Sequence, residues 1–155
     1  MGLVFGPSKS HSSYANYLPN VALGGTICGG RLFCKSGTGI AWIVAPAATQ
    51  VGATWNGSSG SVVGNKPNVS DWSSLSTALT NAGLTPSQWF VPSITQLQSG
   101  YACRTYWDSF SSPAYWSSTE FNASNACNVY FCTGGTYYFT KAFTSCVRAF
   151  RCVTY

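Results

Sequence analysis

Between Gly24 and Pro46 the apolar residues come in short runs divided by glycine-rich turns, which is the pattern of strands rather than helices. Residues 26–28, 31–34 and 40–46 are predicted strands, the last two joined as a hairpin. Residues 47–69, rich in Gly, Ser, Asn and Val, are expected to form a long surface loop. The period then changes: Trp72, Leu75, Leu79 and Ala82 recur at helical spacing, with Ser70 or Asp71 available as the N-cap and Gly83 as the stop. Ser93 and Gln96 have the spacing of a capping box, and Ile94, Leu97 and Tyr101 line one face of the second helix that follows. Past Pro113 strands return at 115–120, 126–132, 137–142 and 146–154, with Gly134-Gly135 turning the middle two into a hairpin. Two short helices set among β segments predict an α+β domain with long loops.

The first 22 residues show no clear period and read as an N-terminal docking arm, leaving 23–155 as one domain. A chain of 155 residues buries about two-thirds of its surface on folding, enough for one core. Charged residues make up only 7% of it, against about 25% in ordinary domains, while aromatics reach 15%. The polarity resides in Ser, Thr, Asn and Gly. Such a surface hydrogen-bonds readily and repels neighbours weakly, which suits glycan or protein contacts within a crowded assembly.

The net charge of +5 reflects scarce acids, namely Asp71, Asp108 and Glu120, and the eight basic residues are scattered singly. Nucleic-acid binding, which needs clustered Lys and Arg to neutralise phosphates, is not expected. Neither is a secretory leader or membrane insertion, since no stretch approaches the ~18 apolar residues of a span.

Seven cysteines occur without a CxxC pair, and His11 is the sole histidine, so a zinc site is not expected. If 146–154 is one strand, Cys146 and Cys152 lie about 20 Å apart at ~3.3 Å per residue, too far to bridge each other. The odd number leaves at least one thiol unpaired within a chain. Most are expected to be small buried apolar side chains of a protein made in a reducing cytoplasm.

Four segments, taken in order, carry a resemblance. They are Gly-Gly-Arg-Leu-Phe at 29–33 leading to Gly-Ile-Ala-Trp-Ile-Val-Ala-Pro at 39–46, Trp-Phe-Val-Pro-Ser-Ile-Thr-Gln-Leu at 89–97, Tyr-Trp-Ser-Ser-Thr-Glu at 115–120 followed by Asn125-Ala126, and Val-Arg-Ala-Phe-Arg at 147–151. Across residues 24–153 the set resembles the C-terminal domain of bacterial collagen-like adhesins, grouped with C-type-lectin-like and formylglycine-generating-enzyme-like folds. The resemblance implies a small mixed sheet, two helices and a loop-rich ligand-binding face, as in surface adhesins and exposed phage proteins. The namesake's collagen-like stalk is absent, so the arm at 1–22 is the expected attachment.

Glu120 closes an aromatic segment, and Arg148 and Arg151 lie in an apolar strand, so an ion pair between Glu120 and one of these arginines is expected. Catalysis is not: His11 sits in the arm, and the three acids are far apart in sequence. Calcium-dependent sugar binding would need more carboxylate than Asn122, Asn125 and Asn128 supply around Glu120, so no metal or cofactor is expected. The candidate ligand face is Asn122, Ser124, Asn125, Asn128, Tyr130, Tyr137, Tyr138 and Thr140, where tyrosine supplies contact area and Asn and Ser adaptable hydrogen bonds. Tyr130 and Tyr138 could equally be core or subunit-interface residues. The expected setting is a virion surface, as a non-enzymatic decoration, fibre-tip or receptor-binding subunit. Its partners would be other virion proteins, copies of itself, and a host-surface glycan or protein. The alternatives are a bacterial extracellular ligand-binding module and a cysteine-dependent oxidase using Cys146 and Cys152.

Overall fold

A computed structural model describes residues 18–57 and 60–155. The expected docking arm falls mostly outside them, as does His11, although the turn Leu18–Asn20 is described and Leu18 is fully buried. Nine strands follow in chain order: β1 Thr26–Ile27, β2 Gly30–Lys35, β3 Ile40–Val44, β4 Val51–Ala53, β5 Ala114–Glu120, β6 Asn125–Tyr130, β7 Gly135–Thr140, β8 Ser145–Val147 and β9 Phe150–Thr154. Two α-helices, α1 Ser73–Asn81 and α2 Ile94–Ala102, lie between β4 and β5. The fold is therefore α+β, as the two periodicities predict.

The strands build two sheets rather than one. The first runs β1-β2-β3-β9 and the second β4-β8-β5-β6-β7, with every pairing antiparallel except β5 against β8. The expected single strand at 146–154 is divided. Its first part, β8, lies between β4 and β5, and the chain then turns at Arg148 and Ala149 so that β9 pairs with β3 in the other sheet. Cys146 and Cys152 consequently belong to different sheets.

Arg148 supplies the physical reason for the break. Its side chain is buried, and its Nε donates to the Ala45 carbonyl at 2.8 Å while its two terminal nitrogens donate to the Ser109 carbonyl and the Asp108 carboxylate. The guanidinium also lies 5.0 Å from the Trp107 ring centre. A strand continuing straight would carry this group away from those partners. The Ala45 amide meanwhile donates to the Ala149 carbonyl at 2.9 Å, which closes the crossing from the backbone side.

Only part of the segment 47–69 is the surface loop its composition suggests: residues 60–68 are mostly exposed, but the stretch before them turns inward. Trp55 within it is fully buried, with its indole N–H donating to the Ser117 carbonyl at 2.8 Å, and Thr49 and Val69 are buried as well. Glycine and asparagine there bend the chain, while the two tryptophans Trp55 and Trp72 meet edge to face at 6.2 Å. Helix α1 starts without a side-chain cap. The Trp72 indole, which donates to the Lys66 carbonyl at 2.9 Å, anchors its start in place of Ser70 or Asp71. Leu75 and Leu79 face the core but Ala82 is exposed, and Gly83, at φ +75°, ends the helix in the left-handed region glycine tolerates. The capping box on α2 forms as read: the Gln96 amide donates to the Ser93 hydroxyl, and the Ser93 amide to the Gln96 side chain.

Apolar burial falls into two groups. One, around Leu32, Ile43, Trp55, Trp72 and Trp116, is covered by α1, and the other, around Phe33, Leu97, Trp107, Phe131 and Phe150, includes the inner face of α2.

The expected Glu120–arginine pair does not form. Glu120 accepts instead from Lys141 at 2.7 Å and from the Val63 and Gly64 amides at 2.8 and 3.1 Å. Arg151 reaches only the neutral Gln88 side chain, at 3.0 Å. Of the charges that sequence proximity to apolar residues marks, Arg148 is buried but Arg151 is only half covered. Lys141, which that criterion does not mark, is buried against Trp55, 5.1 Å from the ring centre, and donates to the Ser61 carbonyl at 2.9 Å. Asp108 takes the place expected for Glu120 beside Arg148.

Removing one member of a buried pair leaves the other uncompensated. Arg148→Met is expected to lower the unfolding free energy by about 3–5 kcal/mol in urea titrations. Arg151→Met, which removes one half-buried neutral contact, should cost about 1 kcal/mol or less. Equal costs would contradict the assignment. Burial pushes the Asp108 carboxyl up, but the Ala47 amide and Arg148 outweigh it and hold the group below its ordinary value; hydrogen bonding from Lys141 and the Val63 amide does the same for Glu120. Both carboxyls thus titrate lower folded than unfolded. The stability they add is complete above about pH 5 and is lost as pH falls through the folded values, below about pH 4, a slope that urea midpoints measured across pH 3–7 will reveal.

Candidate functional site

Side chains alternate across a strand, and directly paired residues of antiparallel neighbours point to the same side. The β6–β7 register sets Asn125 opposite Thr140, Cys127 opposite Tyr138, Asn128 opposite Tyr137 and Tyr130 opposite Gly135. The pleat therefore splits the candidate ligand residues. Asn125, Tyr138 and Thr140 share one face of the sheet; Asn128, Tyr130 and Tyr137 share the other.

On the first face Phe121, from the β5–β6 turn, lies against Tyr138 with ring centres 4.0 Å apart and planes within 17°. Both are about half exposed, at 52% and 54%. Two exposed rings stacked on each other form a flat apolar ledge ending in a phenol, with the Asn125 and Thr140 positions beside it. The turn holding Phe121 is fixed from below. The Asn122 side-chain carbonyl accepts from the Ser124 and Asn125 amides at 2.9 and 2.8 Å, and the Ser124 carbonyl accepts from the Lys141 amide at 2.9 Å. Asn122 and Ser124 thus shape the ledge through the backbone of their turn.

On the opposite face Tyr137 meets Tyr130 edge to face at 6.0 Å and Phe139 at 6.2 Å, and Phe139 meets Phe143 at 4.9 Å. Asn128 departs from expectation here. It is fully buried, and both polar atoms of its side chain lack a hydrogen-bond partner among the described residues. Its position between Trp116 and Tyr137 in the register explains the burial, because large aromatic neighbours on both sides cover a short amide. Asn128 is therefore not a surface contact.

Phe121, Phe139 and Phe143 are not among the tyrosine and amide positions that residue type picks out in the sequence. An isolated phenylalanine in a polar turn, as in Phe121-Asn122-Ala123-Ser124, was the available signal. Strand β7 forms one edge of its sheet and carries no charge. The nearest acid in sequence, Glu120, is neutralised by Lys141.

Elsewhere a cavity of about 220 Å³ opens between the first sheet and α2, lined by Phe33, Cys34, Trp42, Thr95, Gln96 and Ser99. All seven cysteines are free; Cys127 is buried, Cys132 and Cys152 are exposed, and the other four are half-buried. They are thus less covered than expected of core residues, because several sit at strand or turn positions near the sheet margins. Burial raises the thiol pKa of Cys127, and although the Cys152 residue is exposed, the groups packed around its thiol desolvate it and raise its pKa too. This disfavours the thiolate that an oxidase would need at Cys152. Among the described residues no group of three or more His, Cys, Asp or Glu is placed to hold a metal ion, and no helix is long and apolar enough to cross a membrane. No protein-family model matches the chain, and no curated protein matches it.

A buried amide without partners is destabilising relative to an apolar group of the same shape. Asn128→Leu is expected to raise the unfolding free energy by about 1 kcal/mol, read as a higher urea midpoint. A drop of that size would mean that the amide is satisfied in solution.

Proposed function

We propose that this domain is a non-enzymatic binding module that presents the Phe121–Tyr138 ledge to a glycan or protein ligand, on a C-type-lectin-like scaffold exposed at a virion surface. The stacked, half-exposed ring pair is the observation that carries the binding role. Folding gains nothing from two large rings left exposed, and exposed aromatic surface edged by amide and hydroxyl groups is characteristic of recognition sites. Pyranose rings present apolar C–H faces that lie flat on such a ledge while their hydroxyls reach the flanking amide and hydroxyl groups. The state of the carboxylates supports the absence of chemistry: Asp108 and Glu120 are each bound to a cation and to backbone amides. The virion setting rests on the resemblance of the four segments and on the charge-poor composition, with neighbouring particle proteins and copies of the chain as partners. A bacterial extracellular module would use the same ledge and differ only in what carries it.

Tyr138→Ala and Phe121→Ala each remove half of the ledge from an exposed position. Screening the purified protein on a glycan array, followed by calorimetry on the best ligand, should show roughly tenfold weaker binding for either variant, matching about 1–2 kcal/mol per truncated aromatic contact. Melting temperatures should stay close to that of the parent. Undiminished binding in both variants would remove the ledge from the site.

A further inference from the structure

We propose that Cys34 and Cys103 are a disulfide-forming pair, which a low-molecular-weight disulfide oxidises to a covalent link between β2 and the C-terminal end of α2. Cys34 lines the cavity together with Gln96 and Ser99 of α2. The Cys103 amide donates to the Ser99 carbonyl at 3.2 Å, so Cys103 stands one helical turn beyond Ser99 on the same side of the helix. The turn Arg104–Tyr106 that follows it touches β2. Both side chains pack on the same aromatic group, and the two thiols are close neighbours. Burial, and then the neighbouring Cys34, raise the Cys103 thiol pKa.

Access sets the order of events. Cys34 faces an open cavity, so its thiolate attacks one sulfur of the small disulfide; that S–S bond breaks, a mixed disulfide forms on Cys34, and one small thiol leaves with a proton from solvent. Cys103 then loses its proton and attacks the Cys34 sulfur, the mixed disulfide breaks, and the second small thiol leaves. Two protein thiols have given up two electrons and two protons, and one small disulfide has become two thiols. The link closes a loop of roughly 70 residues containing β3, β4 and both helices. A chain folded with both thiols reduced would acquire the staple on meeting an oxidising medium, whatever the Phe121–Tyr138 ledge binds.

The test uses the full chain. The protein is incubated with oxidised glutathione, its remaining thiols are alkylated, and peptides are mapped by mass spectrometry. The expected product joins the Cys34 and Cys103 peptides with the loss of two hydrogens, melts on the order of 10 °C higher, and reverts with dithiothreitol. Cys103→Ser should stop at the glutathione adduct on Cys34. Recovery of both cysteines from the oxidised parent as free or separately glutathionylated thiols, or linkage of either to a different cysteine, would overturn the proposal without requiring any variant to fold.

Discussion

One guanidinium holds the two sheets in register. Arg148 sits where the chain leaves β8 and enters β9, and it donates at once to the end of β3 through Ala45, to the loop after α2 through Ser109, and to Asp108. Asp108 in turn accepts from the Ala47 amide at 2.7 Å, ahead of β4. Two stretches distant in sequence, 45–47 and 108–109, thus converge on one buried cation in a third. A desolvated charge is tolerated only where it is paired and hydrogen-bonded, and three bonds, one of them to a carboxylate, hold this one, so the geometry permits little slippage between the sheets. The aromatic group around Trp107 and Phe150 forms on that frame, and α2 packs against it.

Local structure was legible wherever a period or a cap decides it. The capping box at Ser93 and Gln96, the glycine stop at Gly83 and the hairpin turn that ends at Gly134, just ahead of β7, each depend on residues within a few positions of one another. What was illegible depends on contacts distant in sequence. The break at Arg148 requires Ala45 and Asp108, about 100 and 40 residues away, and no pattern inside 146–154 announces it. Segment 47–69 misled for a related reason. Its small polar residues signal loop, yet Trp55 alone suffices to pull its first part into the core, and a single buried indole leaves no periodic trace.

The candidate site was half legible. Residue type picks out the tyrosines of β7 but leaves Tyr138 open between surface and core, and the pleat that divides Tyr137 from Tyr138 is set by the register, which residue types do not reveal. The charged pairs show the same limit, since Glu120 and Arg148 stand out in the sequence as needing partners while Lys141 and Asp108, which topology brings to them, do not. Lys141 lies next to the Ser124 carbonyl in the backbone ladder, and this places its ammonium under the turn that bears Phe121. The ledge and the buried pair are therefore mechanically one unit.

The position of β8 governs how the molecule can be made. Strand β4 joins the second sheet only through β8, which is threaded between it and β5. During synthesis, Val51–Ala53 emerges from the ribosome long before Ser145–Val147 exists to receive it. The nascent chain must carry an incomplete sheet, with its tryptophans unsheltered, until nearly the whole domain has been translated. Folding is thus a late event dominated by distant pairings, so the interval before Ser145–Val147 emerges is when the chain is most exposed to sticking to others.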